Sequence, residues 1–281
     1  MTSYRRKSGL FSISILLIIT LLGAGSSAHA GKITQYKFGV FPFMPMAALI
    51  KYYNSVSMDF TRRVNKRVIA QTRPTFKEFS EEIEKETYDI IFIQPFDYPK
   101  AYAHNYRPLA RRSEPLDAIL VTRTDAPIKS IKDLKGKTLV NPPKEAAISQ
   151  VIKKELMNSG IDWKTNIKII YTRNHFACIQ MVLVSQADAC STTTPVLHHW
   201  QNTRLKKKKL HIIHQAESVP HTLYMAHKRV PDEDKEKFKE AILTWDNRPE
   251  GKMILKIFNL HSFVEAKDSE YDVIRNYWKK Q

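Results

Sequence analysis

The 281 residues hold 45 lysines and arginines against 28 acids, a formal net charge of +17, and so basic a chain attracts anions of every kind. Two cysteines with no further Cys or His at metal spacing make a poor zinc site, and neither an RNA-binding aromatic signature nor a convincing helix-turn-helix is present. Nucleic acid is therefore not the expected partner, and no metal or cofactor is expected.

At the N-terminus Arg5, Arg6 and Lys7 precede an apolar run from Leu10 to Leu22, and small residues follow to Ala28-His29-Ala30. This is the order of a cleavable signal peptide covering 1–30, and the run is shorter than the ~20 residues a membrane-spanning helix needs. Export then removes three basic residues and brings +17 to +14 on a mature chain starting near Gly31. No cysteine follows the apolar run, which argues against a lipid anchor.

Val-, Ile- and Phe-rich runs then alternate with helix-period segments, the pattern of an α/β fold. Gln35 to Phe43 reads as a strand, Met46 to Val64 as a helix and Arg67 to Thr72 as a second strand. Thr75 and Glu78 form a capping box for a helix whose Phe76, Phe79 and Ile83 share one face. Tyr88 to Ile93 is continuously apolar, as in a strand buried on both sides, and the loop Gln94 to Tyr98 follows directly. After the strand Ala118 to Arg123, the polar stretch Thr124 to Lys137 reads as the crossing into a second series. That series comprises strand Thr138–Asn141, helix Lys144–Asn158, strand Lys168–Thr172, a helix from His175 to about Ser185 and strand Ala187–Ser191. The basic run Lys206–Lys209 reads most simply as a solvated loop. Leu210–Ala216 and Thr222–Ala226 carry the chain back, and a helix opening after Pro231 presents Phe238, Ala241, Ile242 and Trp245 as an apolar stripe. Little strand character follows Ala226. The expected division is 31–121 for the first part of lobe 1, 122–220 for lobe 2 and 221–281 for the return to lobe 1.

Cys178 and Cys190 both fall in the exported region, where a disulfide and two separate buried thiols are equally open readings, because sequence sets no Cα distance. No G-x-S-x-G elbow, HExxH helix or P-loop occurs, and eight glycines leave few phosphate-cradling loops. His175 beside Cys178 suggests a nucleophile and base, but one helix turn places such a pair side by side by geometry alone. An enzyme thus ranks below a binding protein, and a sensory module partnered with a membrane signalling protein would have the same lobes as a transporter component.

Phe38-Gly39-Val40-Phe41-Pro42, Tyr88 to Phe92 running into Gln94 to Tyr98, Tyr106 to Ala110, Asp133 to Lys137, Asn174 to Cys178 and Ala187 to Cys190 occur in this order over essentially the whole mature chain. Together they resemble the type II periplasmic substrate-binding proteins of phosphonate, phosphite and phosphate-type ABC transporters. The resemblance implies two α/β lobes, each a mixed sheet flanked by helices, with a small anionic ligand in the cleft between them. It also implies a monomer in the periplasm that delivers its ligand to an inner-membrane permease and catalyses nothing. Closure of the lobes on the ligand is the expected movement. In open α/β sheets the site lies beyond the carboxyl ends of strands, where helix N-termini present free N–H groups to oxyanions.

Carried onto this chain, the resemblance places Phe41, Phe43, Met44, Gln94 and Tyr98 on the lobe 1 side. Lys144, Ser149, His175, Thr192 and Thr193 stand on the lobe 2 side, and His221 lies in the return segment. The stretch Asn141-Pro142-Pro143-Lys144-Glu145-Ala146-Ala147-Ile148-Ser149 departs from the Ser-Thr-Ser run of phosphonate binders. Only Ser149 supplies a hydroxyl there, and Glu145 would repel an anion if it faced the cleft.

Overall fold

A computed structural model describes residues 34–172, 175–203, 210–258, 260–277 and 279. The expected signal peptide, Asn174 and the run Lys206–Lys209 lie outside the described residues. Among the described residues no helix is long and apolar enough to cross a membrane.

In the first sheet β1 (Gln35–Val40) lies parallel between β2 (Arg67–Gln71) and β3 (Ile90–Ile93). Helices α1 (Met46–Val64) and α2 (Phe76–Glu84) make the two crossovers. The expected capping box starts α2: Thr75 Oγ1 accepts the Glu78 N–H at 3.2 Å, and Glu78 Oε2 accepts the Thr75 N–H at 3.0 Å. All four β3 residues are buried. Gly39 of β1 has no room for a side chain, since a Cβ there would meet the Tyr88 ring at 2.5 Å.

The short helix α3 (Tyr98–Ala103) leads into β4 (Tyr106–Arg112), while β10 (Leu223–His227) inserts antiparallel between β3 and β4. A three-residue strand, β11 (Phe263–Glu265), closes the β4 edge, giving the order β11-β4-β10-β3-β1-β2. Neither β4 nor β11 was expected. Arg107, Arg111 and Arg112 interrupt the apolar pattern of β4, and Pro108 removes a ladder donor. The ladder tolerates it through a register shift beside its partner Met225.

The second sheet has the order β7-β6-β8-β5-β9, built from β5 (Ile119–Arg123), β6 (Thr138–Asn141), β7 (Lys168–Tyr171), β8 (Ala189–Thr192) and β9 (Leu210–Gln215). β6 pairs in parallel with β7 and β8, and β5 is antiparallel to β8 and β9. Alternation sorts the two faces. Leu120, Leu139 and Ala189 join the cluster that includes Ile148, Val151, Ile152 and Leu156 of α4 (Ala147–Asn158). Ile119, Val121, Val140 and Cys190 join Cys178, Ile179 and Val182 of α5 (His175–Leu183) and Leu197 and Trp200 of α6 (Thr194–Thr203). Inside this second cluster Cys178 and Cys190 form a disulfide with Cα atoms 5.6 Å apart.

Because β5 pairs only within the second sheet, the chain leaves the first sheet after Arg112 and crosses over residues 113–118. The sequence had placed the crossing at 124–137. That polar stretch is a surface connection within lobe 2, holding a short helical turn (Ile131–Leu134) with its own Ser130–Asp133 capping box. Residues 216–222 cross back, and the two crossings pair antiparallel: the Leu116 N–H donates to the Val219 carbonyl at 2.8 Å and is answered at 3.3 Å.

The chain then completes the first lobe with α7 (Asp232–Leu243), α8 (Pro249–Phe258) and α9 (Asp272–Arg275). Phe238, Ala241, Ile242 and Trp245 are all buried, as the stripe predicts. Trp245 Nε1 donates to Asp59 Oδ2 at 2.8 Å, and Arg248 makes a bidentate contact with the same carboxylate, pinning the return segment to α1.

Candidate functional site

The carboxyl ends of β6 and β8 are neighbours, and the turn after β6 leads straight into α4. Pro142 and Pro143 cannot donate backbone hydrogen bonds, so the turn is held by others. The Ala146 N–H donates to the Pro143 carbonyl at 2.9 Å, and Ser149 Oγ donates to the Pro142 carbonyl at 3.1 Å. Helix α4 accordingly begins at Ala147, three residues later than expected.

Two polar side chains end their strands here with atoms left over. Asn141 is completely buried, and its Oδ1 accepts a hydrogen bond from Ser191 Oγ, but its amide Nδ2 has no partner among the described residues. Thr192 is also completely buried, and its Oγ1 has no partner among them either. A buried polar atom without a hydrogen bond costs about 1–3 kcal/mol, and native proteins keep few of them. Two such groups, both able to donate, on adjacent strand ends beside a helix N-terminus form an arrangement suited to an oxyanion.

From lobe 1, Gln94 reaches the same place. It follows β3 directly, is 4% exposed, and binds lobe 2 twice: Nε2 donates to the Glu145 carbonyl at 2.9 Å, and Oε1 accepts the Ala147 N–H at 2.8 Å. A single side-chain amide thus bridges the lobes at the first amide of α4. Asp97 lies next to Gln94, and burial pushes its carboxyl up to about 7 against the opposing pull of the Gln94 amide and Lys100.

At the crossings, half-buried His221 accepts the Thr222 N–H on Nδ1 at 2.7 Å, which leaves Nε2 to carry the ring proton. Burial, reinforced by the charge of Arg112, holds this imidazole well below its ordinary pKa, so it is neutral. Arg112 Nε makes no hydrogen bond and lies 3.7 Å from Glu114 Oε2. Arg112 and Asn141 were not among the expected site residues. The legible signal for Asn141 was a polar residue closing an apolar strand at the carboxyl edge of a parallel sheet.

The remaining candidates separate into groups. Phe41 and Phe43, with ring centroids 4.9 Å apart, belong to an aromatic layer that also holds Tyr53 and Phe92. Met44 packs on the same core, and Phe41 is itself core. Tyr98 faces the interior of its lobe. Its ring is wholly buried, stacked on Tyr271 at 4.0 Å, and its hydroxyl donates to Asp268 at 2.5 Å, so it fastens the C-terminal segment and has no proton to offer a ligand.

Ser149 likewise spends its proton on the turn. Lys144 is exposed, and its carbonyl accepts from Gln150 and Lys153, away from the Gln94 contact. Thr193 is half-buried, and its carbonyl accepts the Leu197 N–H at 3.0 Å, opening α6. His175 begins α5, and its side chain lies outside the described residues.

A cavity of about 380 Å³ opens where Glu145 meets Phe76, Lys77, Glu84, Asp97 and Lys100 at the edge of the interlobe boundary. Glu81 also lines it, and with four carboxyls against two lysines an anion gains little there. Among the described residues no group of three His, Cys, Asp or Glu side chains is placed to hold a metal ion.

The family model of periplasmic substrate-binding proteins of phosphonate ABC transporters matches residues 38–271. No curated protein matches the chain in sequence. Among solved structures, PhnD1 from Prochlorococcus marinus, in complex with methylphosphonate, superposes with a TM-score of 0.78 at 17% identity, over 88% of this chain and 98% of that one. A binding-protein component of an ABC phosphonate transporter from Pseudomonas aeruginosa gives 0.73 at 16%, over 86% and 84%. The periplasmic aliphatic sulphonate binding protein SsuA from Escherichia coli gives 0.60 at 13%, over 86% and 90%. At such identities these likenesses are likenesses of fold.

Proposed function

The chain belongs to the periplasmic substrate-binding proteins of phosphonate ABC transporters, and on that premise we propose that it binds one small phosphonate- or phosphate-like anion between its lobes, at the carboxyl ends of β6 and β8. The observation that carries this reading is the pair of buried, unpartnered donors, Asn141 Nδ2 and Thr192 Oγ1. Ligand oxygens complete both bonds, and hydrogen bonds to a charged group are worth about 1.5–3 kcal/mol each.

The protein acts as a single chain exported by its N-terminal leader, hands its ligand to an inner-membrane permease and performs no chemistry on it. Nucleic acid is not a ligand. The surface charge gathers anions, and the desolvated donors select among them.

Thermal-shift and calorimetric titrations with methylphosphonate, phosphate, phosphite and ethanesulfonate test the reading. A ligand at 100 times its Kd adds about 2.7 kcal/mol, which for a chain of this size raises Tm by roughly 5–10 °C. The expected result is one equivalent bound, such a rise, and no release of phosphate from esters or phosphonates. A set of oxyanions that all leave Tm unchanged would overturn it.

Gln94 supplies two hydrogen bonds made only when the lobes are together, and these shift the equilibrium toward the closed form. Gln94→Leu is expected to weaken ligand affinity about tenfold, at ~0.5–1.5 kcal/mol per bond, with the loss seen by calorimetry and a larger radius of gyration seen by X-ray scattering. Tighter binding would instead mean that the Gln94 amide occupies the ligand's own place on the Ala147 N–H.

A further inference from the structure

Two turns into α4, Lys153 is 2% exposed. Its ammonium donates to the Lys144 carbonyl at 3.3 Å and lies 4.9 and 5.3 Å from the ring centroids of Trp163 and Tyr171. It is in no ion pair with any described residue, and burial, followed by the charge of Lys144, pushes its pKa down to about 8. Lysines ordinarily extend their ammonium into water. One held among aromatic rings, with two of its three N–H bonds uncommitted among the described residues, needs a physical reason.

Beside it opens a cavity of about 390 Å³, in the size range of small-molecule sites, lined by Lys144, Gln150, Lys153, Met157, Trp163 and Lys164. Asp162 also lines it, but its carboxylate is engaged, Oδ1 by the Lys164 N–H at 2.9 Å and Oδ2 by the Thr165 hydroxyl at 3.1 Å. The Lys164 ammonium stands 5.4 Å from the Trp163 centroid. Three ammonium groups thus meet one carboxylate around a wall of Trp163 and Met157. We propose that this pocket is a second anion site, separate from the interlobe site, which takes a small organic phosphate with its head on Lys153 and its apolar body on Trp163 and Met157. An ammonium matches a compact phosphate as a point charge, and the room left beyond the head, floored by apolar side chains, selects an ester over the inorganic ion.

The charged and titratable groups around Lys153 are Lys144, Glu145, Asp162, Lys164 and Tyr171. A bound dianion favours the charged lysine over its neutral form, so binding at pH 8.5 takes up protons. The experiment titrates phenyl phosphate into the N141L/T192V protein, in which the interlobe donors are gone. Expected are one equivalent bound, tighter than inorganic phosphate, and a binding heat at pH 8.5 that varies with buffer ionisation enthalpy. Lys153→Met, which keeps an unbranched apolar stem and removes the ammonium, is expected to weaken binding at least tenfold and to abolish the proton uptake. K144Q/K164Q, at the pocket's rim, keeps the buried lysine as a folding control and is expected to weaken binding severalfold.

No binding to the N141L/T192V protein overturns the proposal, as does equal affinity in Lys153→Met or the absence of proton uptake. Each of these failures leaves the interlobe site untouched, because that site is already disabled in the titrated protein.

Discussion

Replacing Asn141 by Leu and Thr192 by Val together is expected to weaken phosphonate-class binding by at least about 100-fold. Each residue offers a buried atom with no partner among the described residues, so on the proposed reading each forms a new bond with ligand and gives up none. Two hydrogen bonds to an anion at about 1.5–3 kcal/mol each amount to roughly two to four powers of ten. Calorimetry on the single and double variants measures this directly.

The stability of the unliganded protein provides the control. Thr192→Val conserves shape and removes an unsatisfied hydroxyl, so its unliganded Tm stays level or rises. Asn141→Leu also removes the acceptor used by Ser191 Oγ and costs some stability, which is why the threonine variant is the cleaner test. A fall in the Tm of Thr192→Val with affinity unchanged would mean that its hydroxyl serves the sheet and not a ligand.

Loss of the Cys178–Cys190 bridge has the largest expected effect on stability. The bridge spans a sequence separation of 12, and a closed loop of about this length restricts the unfolded chain by ~3 kcal/mol. Both half-cystines are fully buried in the cluster that joins β8 to α5 and α6, so the open thiols would gain no hydration in the folded protein. C178A/C190A, or the native chain under reductant, is expected to melt about 6–12 °C lower, at 2–4 °C per kcal/mol for a chain of this size. Scanning calorimetry with parallel thiol titration reads both quantities.

Cys190 lies two residues before Thr192 on the same strand, so a looser β8 end also lowers ligand affinity, by less than the direct substitutions do. An unchanged melting temperature with both thiols demonstrably free would contradict this account.

How much of the site was legible depended on the kind of signal. The place of Gln94 was legible because a doubly buried strand must deliver its next residue to the sheet's carboxyl edge, but its hydrogen bonds to Glu145 and Ala147 were not. A hydroxyl run after an apolar strand exceeds what a turn needs, and this marked Thr192, whose contact with ligand is part of the proposal. Tyr98 shares the Gln94 loop, but three residues of short helix turn it into the lobe, where Tyr271 and Asp268 arrive from the far end of the chain. Lys144 stands before α4 for a local reason: the Pro142-Pro143 turn delays the helix to Ala147 and leaves the lysine outside it. Arg112 was hidden in a strand whose proline and charges concealed the strand itself.

By itself the sequence determined the α/β alternation, the α2 capping box, the buried β3, the apolar stripe of the return helix and the kinship with exported binding proteins. The kinship rests on six short segments in order along the chain; each of the others is a relation among residues within a turn or two, where helical and strand periods expose burial directly. Tertiary structure alone decided that β5 belongs to the second sheet, that the cysteines are bridged, that Gln94 grips α4 and that Asn141 and Thr192 are left with donors to spare. These facts are distances between segments far apart in the chain, 53 residues for Gln94 and Ala147 and 170 for Tyr98 and Asp268. Local periodicity carries no record of which distant partner meets a buried polar atom.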